Sequence, residues 1–140
     1  MSSMMQRALG AALLAAVWAA AGATDVPANL TGAQEVPANN STATGTGKIS
    51  VAADKSVSGT IKTTGMSGTM AHIHEAAAGK NGPPIITLEK SGDDSWSVPA
   101  GAKLTDEQYS SFKAGNLYVN VHSADHKGGE IRTQLRAGDQ

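Results

Sequence analysis

The sequence predicts a mainly β domain, an antiparallel sandwich or barrel with one short connecting helix. Three observations carry this. Apolar residues alternate with polar ones over short runs. Turn-forming clusters of Gly, Asn, Asp and Ser separate those runs. A single stretch, residues 104–115, has helix boundary signals at both ends.

Each element can be argued in order. Lys48 to Ala53 alternates, with Ile49 and Val51 on one face, and Asp54-Lys55-Ser56 is turn-like. Val57, Gly59 and Ile61 resume the alternation, which predicts an antiparallel hairpin. Gly65 to Gly68 breaks it, and Met70 to His74 is the next strand. Ala76 to Pro84 reads as a loop, Ile85 to Leu88 as a short strand, and Ser91 to Asp94 as a turn before Trp96 and Val98. Thr105 with Gln108 forms a capping box, Leu104 and Tyr109 stand at staple positions, and Asp106 and Glu107 suit the helix N-terminus. Gly115 ends the helix. Leu117, Val119 and Val121 form a buried strand face, and Ile131, Thr133 and Leu135 the last one. Asn39 to Gly47 reads as a loop.

The first residues are expected to lie outside this domain. Arg7, the apolar run from Ala8 to Ala20 and the small residues Ala21-Gly22-Ala23 match a secretory signal peptide over residues 1–23. The run is short for a membrane span, so none is expected after cleavage. Residues 24–140 then form a single domain, secreted or periplasmic. The chain has 140 residues, a formal charge of −1 and no Cys. The charge balance leaves no basic surplus for nucleic acid. The missing Cys removes disulfides, thiolate metal sites and blue-copper centres. No nucleotide fingerprint or nucleophile elbow occurs.

The chemistry concentrates on histidine. His72 and His74 stand two apart, so on a strand they share one side while Ile73 faces the core. By the same parity His122 turns away from the core with Tyr118 and Asn120. If the two strands are neighbours, three imidazoles reach one ion on the outer face of the sheet. Met70 shares that face, and His126, four residues past His122, is a fourth candidate. Imidazole without thiolate suits copper first and zinc second, a thioether favours Cu(I), and a three-His zinc site with water is the hydrolytic alternative. Glu75 is a neighbouring carboxylate, and Glu130 and Arg132 share a strand face on which they can pair.

Four stretches carry a resemblance: LTGAQEVP at 30–37, MAHIHEAAAGKNGPPIITL at 70–88, LTDEQYSSFKAGNLYVNVHS at 104–123 and GGEIRTQL at 128–135. With them the chain resembles the chordin-type (CHRD) domain, which implies an exported protein. More distantly, Val57 to Ile61 leading to His72-Ile73-His74, and Leu117 to His122, look like the copper-ligand strands of copper–zinc superoxide dismutase. That likeness implies a Greek-key sandwich with copper on His72, His74 and His122, and Arg132 as an anion-steering residue. Residues 75–84 lack the histidine and aspartate of the dismutase zinc subsite, so no zinc subsite is expected; His126 is either a solvated turn residue or a substitute for the bridging ligand, which would make a mononuclear four-coordinate site.

Three functions follow as expectations. The first is an exported copper-binding protein acting in copper handling or single-electron chemistry, with another exported protein as a possible partner. The second is a copper enzyme of dismutase type. The third is a metal-free module that binds protein or matrix.

Overall fold

The computed structural model describes residues 22–137. Nine strands follow one another: β1 (Ala23–Thr31), β2 (Thr44–Ala52), β3 (Val57–Thr64), β4 (Gly68–Glu75), β5 (Pro84–Thr87), β6 (Glu89–Gly92), β7 (Ser95–Ser97), β8 (Leu117–Ser123) and β9 (Ile131–Leu135). A 3-10 turn (Gly32–Gln34) follows β1, and helix α1 (Asp106–Lys113) precedes β8. The sheet order is β5-β4-β8-β9-β1-β2-β3-β7-β6, with every pair antiparallel.

The connections show how this sheet closes. β5 and β6 lie at opposite edges, yet only Leu88 separates them in sequence. The sheet must therefore curl until its edges meet, and the Leu88 N–H donates to Ala71 O of β4 at 2.9 Å. On the far side β1 and β9 are registered only at Thr31↔Arg132. The result is a Greek-key sandwich, nearly a barrel, with β5-β4-β8-β9 as one half. The apolar sides of all its strands meet between the halves: Val26, Leu30, Ile49, Ile61, Ile73, Val119, Val121, Ile131 and Leu135 are all buried there.

The hairpin of β2 and β3 forms as expected, but β2 begins at Thr44, inside the stretch expected to be loop. Its first residues are Thr and Gly, which carry little apolar signal, while their partners on β1 and β3 hold them in the ladder. β1 is a strand that alternation alone did not reveal. Its buried residues include Ala28, and Pro27 interrupts it. Pro27 is tolerated because there β1 is paired with β2 alone. β6 is exposed along its length, so it has no apolar face to read.

Helix α1 follows its sequence signals closely. The Gln108 N–H donates to Thr105 Oγ1 at 3.1 Å, and the Thr105 N–H donates to Gln108 Oε1 at 2.9 Å. At the other end Gly115 N–H bonds Phe112 O and Asn116 N–H bonds Ser111 O, a Schellman pair that needs the left-handed φ of 83° at Gly115. Leu104 and Phe112 are buried against the core. Replacing Thr105 by Ala is expected to lower stability by about 1 kcal/mol, read from urea denaturation midpoints.

The residues expected to form a signal peptide lie, apart from Gly22 and Ala23, outside the described residues. Among the described residues no helix is long and apolar enough to cross a membrane.

Candidate metal centre

β4 and β8 are direct neighbours, as the convergence of the histidines requires. Their register pairs Met70 with His122, His72 with Asn120 and His74 with Tyr118. Ala71, Ile73, Val119 and Val121 turn inward to the core. The other parity therefore lines up Met70, His72 and His74 beside Tyr118, Asn120 and His122 on the outer face. β9 extends this face, with Arg132 opposite Asn120 and Gln134 opposite Tyr118.

This outer face is not open to water along its length. The site was expected at the surface, but His74 and His122 are 8% and 7% exposed, and only His72 is half-buried. Two loops account for the difference. The loop after β4 brings Lys80, Asn81 and Gly82 over the face, and the segment after β1 brings Glu35 and Val36. Asn81 ties the two together: its Nδ2 donates to Val36 O at 2.8 Å, while its Oδ1 accepts from Arg132 at 3.0 Å. Loop residues with no apolar pattern gave the sequence no sign of this roof.

The ring nitrogens of His72, His74 and His122 lie within 4.8 Å of one another. His72 Nδ1 and His122 Nε2 are 3.2 Å apart. Two imidazole nitrogens on one ion, each about 2.0 Å from it, are separated by roughly 3 Å. Backbone carbonyls fix which nitrogens are free. His74 Nδ1–H donates to Gly82 O at 2.9 Å, and His122 Nδ1–H donates to Lys127 O at 2.8 Å. Both Nε2 atoms are thereby left as lone pairs. His74 Nε2 is buried with no hydrogen-bond partner, and so is Asn120 Oδ1. Two buried acceptors without a donor are costly to leave unmet. A cation relieves such a pair of lone pairs, so these residues fit a bound metal.

Burial favours the neutral forms of His72 and His74. Burial, then the neighbouring His122 and His74, push the His72 imidazole below its ordinary value. Burial also lowers His74, opposed by its hydrogen bond to Gly82. The unfolded chain takes up these protons near pH 6.5. The folded chain resists them, so stability is held above about pH 6.5 and lost as pH falls toward the lowered folded values. Without metal, the midpoint of unfolding is expected to drop between about pH 7.5 and pH 5.5. The drop should be smaller in a His72→Ala/His74→Ala double variant.

The other candidates are placed as follows. His126 stands outside this cluster, half-buried in the turn after β8, where its charge acts on Glu35 and Glu130. Met70 is 50% exposed beside His122. Arg132 is 1% exposed. Its guanidinium donates to Asn81 Oδ1 and, at 2.6 Å, to Lys80 O, and lies 3.4 Å from the centre of the Tyr118 ring. Tyr118 in turn stacks on His74, with ring centres 4.7 Å apart and planes 1° from parallel. Glu130 does not pair with Arg132: its carboxylate accepts from Ser41 and Ser123 hydroxyls at 2.5 and 2.6 Å. Those short bonds satisfy both oxygens, and the guanidinium is drawn across to the loop. Glu75 accepts from Ser111 at 2.6 Å and anchors α1.

Two supporting residues were not legible as such. Glu35 is buried, and burial raises its pKa, opposed by Arg132 and by a 3.4 Å hydrogen bond from Asn120. Gly129 makes room for them. It has φ 127°, and a Cβ there would lie 2.4 Å from Glu35 Oε2 and 2.5 Å from Asn120 Nδ2. The only hint in the sequence is the Gly-Gly pair at 128–129, which reads as an ordinary turn. Gly129→Ala is expected to destabilise the protein by roughly 2 kcal/mol or more and to weaken metal binding together with stability, read by thermal melting with and without metal.

No curated protein and no solved structure matches the chain. A family model does, over residues 26–135, from within β1 to the end of β9 and across every residue of the histidine cluster. By that match the chain belongs to the CHRD domain family.

Proposed function

We propose that the protein is an exported metal-binding protein, with copper as the preferred ion, held by His72, His74 and His122 and acting in copper handling or single-electron chemistry. The observation that carries this is the convergence of the three imidazoles, with the unpartnered His74 Nε2 facing into the cluster. Three neutral nitrogens and no thiolate rank copper first by the Irving–Williams order, with zinc second. Bound copper supplies a one-electron couple. The chain's own residues bind it, set its ligand tautomers through Gly82 O and Lys127 O, and shield it with the two loops. Export rests on the pattern of Arg7, the apolar run to Ala20 and the small residues up to Ala23.

Titration of the purified protein with Cu(II) tests this reading. The expected result is one tightly held copper per chain, absent in a His72→Ala/His74→Ala/His122→Ala variant. Equal copper uptake by the wild type and the triple variant contradicts it.

A further inference from the structure

The cluster is closed at one end and open at the other. At His74 the ring is covered by Gly82, stacked on Tyr118 and 8% exposed. At His72 the face is half-buried, and one step further along β4 stands Met70, 50% exposed. Among the described residues Met70 is the exposed large apolar side chain, and its exposure contributes nothing to the core. Its register partner across the strands is His122, and its neighbour on the same face of β4 is His72. Directly opposed residues on antiparallel strands have Cβ atoms about 5 Å apart. A methionine side chain has three rotatable bonds and a polarisable sulfur at its end. The thioether is thus within reach of the nitrogens of His72 and His122, at the end of the cluster where His72 is half-buried.

The charge around the cluster points the same way. Its donors are imidazoles; the groups acting on His72 are His122 and His74, and those acting on His74 are Gly82 O, His122, Asn120 and the cationic Arg132. No carboxylate is among them. A dipositive ion placed there has no carboxylate ligand, because the Glu35 carboxylate stands behind Asn120 and acts on the Arg132 guanidinium. A monopositive ion is held at lower electrostatic cost. Soft thioether sulfur selects Cu(I) among the biological first-row ions.

We propose that Met70 completes the His72/His74/His122 cluster as a thioether ligand and that the site is selective for the cuprous ion. This rests on the metal-binding reading above and narrows it to one oxidation state. The source of metal is then a donor of reduced copper, and the exposed Met70 is the first ligand such a donor meets.

Anaerobic competition of the full chain against a chromophoric Cu(I) chelator, with parallel Cu(II) and Zn(II) titrations, tests it. The variant is Met70→Leu, a similar volume at a half-exposed position, which leaves the core untouched. The expected result is a Cu(I) affinity at least ~10-fold lower in the variant, with Cu(II) and Zn(II) affinities unchanged. Loss of a sulfur shell in the X-ray absorption of the Cu(I) form should accompany it. Unchanged Cu(I) affinity, or an equal loss for all three ions, overturns the cuprous proposal. Metal binding that still depends on the histidines then leaves the broader reading standing. Failure of the wild type to bind any of the three ions overturns both.

Discussion

Replacing His122 by Ala is expected to lower copper affinity by at least ~100-fold while leaving the strands intact. The size follows from the position of this ring. His122 Nε2 is 3.2 Å from His72 Nδ1, and its other nitrogen is held by Lys127 O, so its lone pair is already aimed. Removing a group that hydrogen-bonds a metal ligand typically costs 10–100-fold, and removing the ligand itself costs more. The fold should tolerate the change, because His122 faces outward from Val121 and from the core. Competition against a chelator of known affinity, with circular dichroism as the control for folding, gives the answer. A loss under about threefold means that His122 is not a ligand.

Replacing Arg132 by Ala is expected to be the most destabilising change at the site, by about 2–4 kcal/mol. This corresponds to a fall of roughly 10 °C in Tm for a domain of this size. Arg132 heads the fully buried side chains by volume, so truncation leaves a large space between β9 and the covering loop. It also removes the two hydrogen bonds to Lys80 and Asn81 and the contact with Tyr118. Arg132→Lys should not restore the wild-type stability, because an ammonium group has neither the planar stacking face nor the forked donors. The loop that Arg132 holds also supplies Gly82 O to His74 Nδ1. Metal affinity should therefore fall about 10-fold as well, through His74 losing its fixed tautomer. Differential scanning calorimetry and chelator competition on the same preparations separate the two effects. Full stability with Arg132 absent would show that the loop is held by other means.

The parity of two strands makes the histidine cluster legible in the sequence. His72 and His74 at i and i+2, and His122 out of phase with Val119 and Val121, leave one geometric answer once β4 and β8 are neighbours. Helix α1 was legible for the same reason, since Thr105, Gln108 and Gly115 act through contacts within a few residues. What could not be read lies in long-range or backbone contacts. The acceptors that fix the ligand tautomers are the carbonyls of Gly82 and Lys127, and every residue has a carbonyl. The roof over the face depends on Asn81 reaching both Val36 and Arg132, which are far apart in sequence. β1 escaped notice because Ala28 and Pro27 carry weak strand signals, and its place is set by pairing with β2.

Glu130 shows how a residue on the expected face acquires a different partner. It shares the outer parity with Arg132, but Ser41 and Ser123 arrive closer and saturate its carboxylate. Glu35 has no such saturation, and its one side-chain donor, Asn120, is also the neighbour of His74. The histidine cluster is thus backed by a polar layer, Asn120, Glu35 and Arg132, in a position where sheet proteins more often meet solvent.

X-ray absorption of the copper-loaded protein is the most direct measurement of the central claim, that three imidazoles from two adjacent strands share one ion. The expected spectrum shows multiple scattering from three imidazole rings with nitrogen at about 2.0 Å, reduced by one ring in each single His→Ala variant at positions 72, 74 and 122. A spectrum fitted by fewer than three rings, or one that the three substitutions leave unaltered, contradicts it.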